Sequence, residues 1–535
     1  MGTNVVNAHL SNARLILRVV AIAFGIGLIL NAWFSTPPLE LRSMSSFLFF
    51  EIPTTYWIGF VVIAVGCADV GLSSNNKRAR WIASVCFFSS LYSLSYFYYN
   101  LPGSDPQFKV LTARYFLDGK LNPLVSSFYS WPGFFILSKI ALVCSALPQR
   151  IFEFLLFFVV GVALSSAVFS IVDRCKMNQF FGVVAYGITG FYFLDFQFAP
   201  QTLALVLLMV MLLVEFKLDT SMRKSILVTA MFLAATISHG FLQLFYLLYL
   251  AMKSMWTRSN VVNIITLAVM YLGVNILLVT SSGVATFSSM VLLLRRSIIE
   301  FLGFTYSQSV ISATVQPGPD VAIQQASRAL VIFTTIISLY GLAKSWRFGL
   351  TRFDKSLVAS CLVLAVAASV IFLVFSRGIQ LAVVALAIGA AYFPKRSRFN
   401  WRMIVAFALV VLSFSLPMHG VFDNSLYQPQ YSQGAAVFLI SHISAVPATR
   451  QLNMFVPQLS EFDFLVSLQN VILESERSPE LYLGRYDYAV TSVQMDHYIS
   501  SRGRVYPQPV VVLMRSGNIL YSNGFANIAS WTTPP

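Results

Sequence analysis

The chain has 535 residues, of which 57% are hydrophobic and 11% charged, and 36 Lys and Arg face 21 Asp and Glu. Apolar runs of about 17–22 residues recur along it, which is the length of a membrane span, so it reads as a polytopic integral membrane protein. The net charge of +15 sits mainly in short loops between those runs, where the positive-inside rule explains it and leaves no case for a nucleic-acid partner.

The first apolar run, 15–34, follows a polar start with Arg14 and Arg18. It resembles a signal anchor rather than a cleaved leader, being long and without an A-x-A-like site. Further spans are expected at 56–72, 81–99, 151–172, 180–195, 200–216, 225–238, 240–252, 260–281, 328–344, 356–376, 379–394 and 403–418. The five cysteines (Cys67, Cys86, Cys144, Cys175 and Cys361) lie in or beside apolar segments. No C-x-x-C spacing occurs, so neither a disulfide framework nor a zinc site is indicated.

Between the third and fourth of these spans comes the longest interruption of the N-terminal half, Asn100–Pro132. It opens with Gly103-Ser104-Asp105-Pro106 and continues as an amphipathic pattern in which Phe108, Leu111 and Tyr115 share a face. That pattern suits a helix lying in the membrane interface. The loop closes with Tyr129-Ser130-Trp131-Pro132-Gly133, after which 133–147 is apolar again.

Charge decides whether 133–147 crosses. Asn75–Arg80 is basic and therefore expected inside, which places 100–132 outside. If 133–147 crossed, Asp173–Lys176, Arg223-Lys224 and Lys395–Arg398 would all fall outside. If it dips in and returns, all of them lie inside together with Lys253–Arg258 and Lys344–Lys355. A re-entrant or interfacial segment is therefore expected, giving thirteen spans with the N-terminus cytoplasmic.

The outer side then collects the 100–132 loop, Asp195-Phe196-Gln197, Ser238-His239-Gly240, the loop 281–327, Arg377-Gly378 and everything after His419. From about 420 to 535 the composition becomes more polar and turn-rich, and short β-like runs appear at Ala435–Ile440, Tyr506–Met514 and Asn518–Tyr521. Arg515-Ser516-Gly517 reads as a hairpin loop between the last two, and a helix is expected near Ser460–Glu474. The expected architecture is a membrane domain over 1–419 and a small extracytoplasmic α/β domain over 420–535.

Four residues stand out for chemistry. Asp105 could serve as a general base or hold a divalent metal, but Asp-Pro is also a good helix start with the aspartate as N-cap. Asp195, in YFLDFQFAPQ, is either a solvated turn residue or a partly buried carboxylate with a metal or a shifted pKa. His239 lies in a very short turn, as a satisfied interfacial histidine or a phosphate contact. Arg377 is the basic residue that topology explains least, and an arginine there could grip a lipid phosphate or simply snorkel. P-loop, G-x-S-x-G, HExxH and Gly-rich nucleotide motifs are all lacking, so a membrane-borne substrate is expected.

Gly103-Ser104-Asp105-Pro106-Gln107-Phe108, with Arg114 and Asp118-Gly119, resembles the first outer loop of integral-membrane C-type (GT-C) glycosyltransferases. It is similar to the D-P-x-F loop of oligosaccharyltransferase catalytic subunits and their archaeal and mannosyltransferase-like relatives. The Tyr129–Gly133 turn and the ending Asn518–Gly524 resemble that superfamily as well. The resemblance implies Asp105 as the catalytic carboxylate and Asp195 as a second acidic group, with Mg or Mn as the metal they would share. His239 and Arg377 are candidates for the lipid phosphate by position. The W-W-D-x-G acceptor motif of oligosaccharyltransferases is missing, and Tyr486-Asp487-Tyr488-Ala489 is only a faint echo, which points to a monosaccharide-transferring relative.

The expected function is transfer of a sugar from a polyprenyl-phosphate-linked donor to a glycan or protein acceptor at the extracytoplasmic face of the cell membrane. The rival readings are a transporter or flippase of lipid-linked glycans and an inactive scaffold with an outer binding domain.

Overall fold

A computed structural model describes residues 2–36, 52–74, 76–93, 131–145, 149–193, 200–217, 222–240, 242–257, 261–278, 320–370, 372–392, 413, 488–492, 518–522 and 526–530. Thirteen helices are described: α1 (Gly2–Ser35), α2 (Thr54–Ser73), α3 (Lys77–Tyr92), α4 (Gly133–Ser145), α5 (Gln149–Arg174), α6 (Gln179–Phe193), α7 (Pro200–Lys217), α8 (Met222–Ser238), α9 (Leu242–Thr257), α10 (Val261–Leu278), α11 (Asp320–Phe348), α12 (Arg352–Val370) and α13 (Phe372–Tyr392). Twelve of the predicted spans coincide with one of these helices, and the remaining one, 403–418, lies outside the described residues apart from Ser413. Among the described residues, Ile16–Ser35, Thr54–Ser73 and Ala329–Arg347 are long and apolar enough to cross a membrane. Gly133–Ser145, Pro200–Glu215, Asn263–Leu278 and Ala382–Tyr392 are apolar but shorter.

Local chemistry sets the helix ends. The Asn76 side chain accepts from the backbone N–H groups of Arg78 (2.9 Å) and Ala79 (3.4 Å), capping α3. Thr351 and Asp354 cap α12 reciprocally, with the Thr351 N–H donating to Asp354 Oδ2 and the Asp354 N–H to Thr351 Oγ1. Lys176 closes α5 in the left-handed region at φ 53°, with Lys176 N–H donating to Asp173 and Met177 N–H to Val172, a Schellman ending. Pro200 occupies the first position of α7, where a missing N–H costs nothing. Within the helices, Thr189, Thr236, Thr334 and Ser360 return their hydroxyls to the carbonyl four residues back, which satisfies them without water.

The core surrounds α6, which packs against α2, α3, α5, α11 and α13 and is buried from Phe180 to Gly190. A helix apolar on every side belongs in such a central place. Tyr186 of α6 stacks on Phe88 of α3, and Phe180 meets Phe87 edge-on. On the flank, α1 lies antiparallel on α2, and small residues let them approach: a β-carbon on Gly59 would meet the Gly25 carbonyl at 2.8 Å. Arg18 reaches Asp69 at 2.5 Å and Ser73 at 2.7 Å across the same pair.

Contacts between loops fix which helix ends lie together. Lys77 pairs with Asp173, Gln179 donates to Asp173 (2.8 Å), and Asn178 N–H donates to the Ala391 carbonyl (3.1 Å). Gly349 lies against Tyr392, and Lys224 and Lys253 meet Glu215. Lys77, Arg174, Lys224, Lys253 and Arg347 thus gather at one end of the bundle together with the end of α13.

The connectivity of α4 follows. Gly133 lies against Ile237 and Ser238, at the end of α8 remote from Lys224. Ser145 is separated by only 146–148 from the start of α5, whose far end carries Arg174 at the basic side. Both ends of α4 are therefore on the side opposite the basic loops. Over Gly133–Ser145 the segment expected to be re-entrant is a single 13-residue helix.

One expectation needs correction. Arg377-Gly378 is not an inter-span turn: both residues lie inside α13, which runs from Phe372 to Tyr392. Arg377 is six residues into α13, and neither an arginine near a helix end nor a glycine obliges a membrane helix to stop. In the C-terminal region, β1 (Tyr488–Ser492), β3 (Ala526–Ser530) and β2 (Asn518–Ser522) form an antiparallel sheet in that order. The described partner of β2 is β3, reached through Asn523–Phe525. The predicted strand 506–514 and its hairpin loop 515–517, the strand 435–440 and the helix near 460–474 lie outside the described residues, as does the interfacial helix of the 100–132 loop.

Candidate functional site

At the end opposite the basic loops, three turns separated widely in sequence come together. Trp131-Pro132-Gly133 leads into α4, Ser238-His239-Gly240 ends α8, and Tyr271 and Asn275 lie in the last two turns of α10. The Trp131 indole N–H donates to Asn275 Oδ1 at 3.2 Å, and Asn275 Nδ2 donates back to the Tyr271 carbonyl at 2.8 Å. The Tyr271 hydroxyl donates to the Gly240 carbonyl. The Trp131 ring rests on Gly240 so closely that a β-carbon there would stand 2.6 Å from Trp131 Cε2. This is the position where a glycine is required, since any larger residue would push the ring away.

His239 follows the last residue of α8, and its N–H still donates to the Ala235 carbonyl at 2.9 Å. Its residue exposure is 8%, so it is buried among these turns rather than standing in solvent. Ser238 beside it is also buried, and its hydroxyl donates to the Ala234 carbonyl at 2.8 Å. A buried imidazole carries a proton or accepts a hydrogen bond according to its surroundings, which suits contact with a polar or anionic group.

Arg377 belongs to the first half of α13, which starts at the same end as the His239 turn, because its last residues meet Asn178 at the basic end. Asp105 and Asp195 lie outside the described residues. Among the described residues, no group of three or more His, Cys, Asp and Glu is arranged to hold a metal.

A second polar cluster occupies the basic end. Glu215 Oε2 receives Lys253 Nζ at 2.5 Å and Lys224 Nζ at 3.4 Å, while the Tyr246 hydroxyl donates to Oε1 at 3.4 Å. Both lysines and the carboxylate have side chains only 10–12% exposed. Buried charges persist when paired in this way, so the cluster ties α7, α8 and α9 together. Cys175 lies near Asp354 in the first turn of α12, and burial pushes its thiol well above the usual range. Nothing in the sequence pairs Glu215 with Lys253 or singles out Asn275 and Tyr271. Their only sequence signal was a polar side chain within an apolar helix.

No family model matches the chain, and no curated protein matches it. Among solved structures, it is similar to the cryo-EM structure of the arabinofuranosyltransferase AftD from Mycobacteria. The identity is 13% and the TM-score 0.46, over 86% of this chain and 40% of that one. The chain thus spans well under half the length of that protein.

Proposed function

We propose that the chain is a membrane glycosyltransferase of the C-type architecture, transferring a sugar from a polyprenyl-phosphate-linked donor to an acceptor at the extracytoplasmic face. The observation that supports this reading is the seating of Trp131 on Gly240. It ties the end of the loop that carries Asp105 to the turn that carries buried His239.

In the proposed reaction, Asp105 takes the proton of the acceptor hydroxyl as its oxygen attacks the anomeric carbon. The bond from that carbon to the phosphate oxygen breaks, and the polyprenyl phosphate leaves with the electron pair. His239 and Arg377 match its charge, and the configuration at the anomeric carbon inverts. General-base assistance is worth roughly 10²–10⁴ in rate, and electrostatic support of the leaving phosphate is of similar size. Asp195 is the second carboxylate, and with Asp105 would hold a Mg or Mn ion that neutralises the donor phosphate. The C-terminal residues 420–535 form the proposed outer domain.

The test is transfer from lipid-linked sugars in membranes, wild type against Asp105→Asn, at matched expression and folding. Asparagine retains the capping ability and removes the base. A loss of about a hundredfold or more supports the assignment. Equal transfer by both proteins returns Asp105 to a helix cap, and no transfer by either favours a flippase or a scaffold.

A further inference from the structure

Gln243 lies in the first turn of α9, three residues beyond the glycine that carries the Trp131 ring and four beyond His239. It is 1% exposed, yet neither its Nε2 nor its Oε1 has a hydrogen-bond partner. Its neighbours Leu242, Phe245 and Tyr246 are buried apolar and aromatic residues. An amide left dry in such surroundings is disfavoured, whereas leucine or methionine would fill the same volume without loss. A polar group reaching the amide would satisfy both of its atoms.

The chemistry of the amide selects among visitors. It offers two N–H donors and a carbonyl acceptor. A phosphate supplies acceptors only and would leave Oε1 unsatisfied, while adjacent hydroxyls of a sugar satisfy both atoms at once. The Trp131 indole, seated on Gly240 three residues before Gln243, adds an aromatic face of the kind that the apolar side of a sugar ring stacks against.

We infer that Gln243 recognises the hydroxyl groups of the donor's sugar, with His239 nearer its phosphate. This inference rests on the transferase reading and adds a specificity residue to it.

The experiment measures binding of two short-chain probes, a polyprenyl-phosphate-linked sugar and the bare polyprenyl phosphate, to the purified full chain in lipid nanodiscs. Wild type is expected to prefer the sugar-bearing probe. Gln243→Leu and Gln243→Met are both expected to lose roughly tenfold of that preference, the scale of one or two hydrogen bonds. Their affinity for the bare lipid should be unchanged and their melting temperature should not fall. Methionine provides the same answer if leucine packs poorly. Preference retained in a folded variant overturns the inference and leaves the transferase reading standing, with a water as the partner of Gln243. A wild type that shows no preference for the sugar-bearing probe overturns both.

Discussion

The ring of Trp131 covers Gly240 without room for a β-carbon, although 108 residues separate them in sequence. The contact fastens the end of the first large loop to the α8–α9 turn, and the Trp131–Asn275 hydrogen bond adds α10 to the same junction.

Gly240→Ala is expected to displace the indole and destabilise the protein by about 1–3 kcal/mol, the usual penalty of overpacking. Trp131→Phe keeps a ring in place but loses the bond to Asn275, which is worth about 1 kcal/mol. Thermal unfolding in detergent measures both. The two variants should also reduce sugar transfer more than their stability loss explains, because the junction holds the loop bearing Asp105.

The ion pairs divide into two energetic classes. Glu215→Gln removes the shared partner of two buried lysines and is expected to cost about 3–5 kcal/mol. Lys77 is 60% exposed where it meets Asp173, so Lys77→Ala should cost at most about 1 kcal/mol. A Glu215→Leu, Lys253→Met double variant should be more stable than either single change. Unfolding free energies of the set, compared as a double-mutant cycle, decide whether the Glu215 cluster behaves as a coupled unit.

Glycines provide a paired test of helix packing. A β-carbon on Gly389 would stand 2.0 Å from the Ser338 carbonyl of α11, whereas one on Gly273 would meet nothing within 4 Å. Gly389→Ala should therefore force α11 and α13 apart at about 1–3 kcal/mol. Gly273→Ala should be neutral or stabilising by up to about 1 kcal/mol through helix propensity. Melting temperatures of the two variants should shift in opposite directions or differ plainly in size.

Cysteine labelling checks the course of α4. Cys144 is exposed, one residue before the end of that helix, while Cys175 is buried in the α5–α6 turn with its thiol raised by burial. A membrane-impermeant maleimide added to intact cells should label Cys144 from outside. Cys175 should stay unmodified up to pH 9 even in permeabilised cells, since only the thiolate reacts and a raised pKa withholds it. Labelling of Cys144 only after permeabilisation would mean that α4 crosses.

Much of the helical framework was legible because apolar runs and basic loops carry it directly. The expectation that 133–147 does not cross came from charge alone, and Gly133–Ser145 within it is a single helix. Arg377-Gly378 reads as a turn although it lies inside α13, because an arginine beside a glycine carries turn chemistry whether or not the chain turns there. Pairings such as Lys253 with Glu215 or Trp131 with Asn275 were not legible either. They join residues on different helices, and no local pattern encodes which distant side chain completes a hydrogen bond. The strand predicted at Asn518–Tyr521 is present as β2, paired antiparallel with β3.

The enclosed position of α6 has a consequence for biogenesis. Its 15 residues are too few to match a bilayer of about 30 Å at 1.5 Å per residue, but a helix walled in by protein need not match the lipid. Its wall is built partly from α2, α3 and α5, which are synthesised before it, and partly from α11 and α13, which are synthesised long afterwards. Until α13 arrives, one side of α6 has no permanent neighbour. The late helices thus act as the closing pieces of assembly, and a chain truncated after α10 should remain with membrane insertases or chaperones and be degraded.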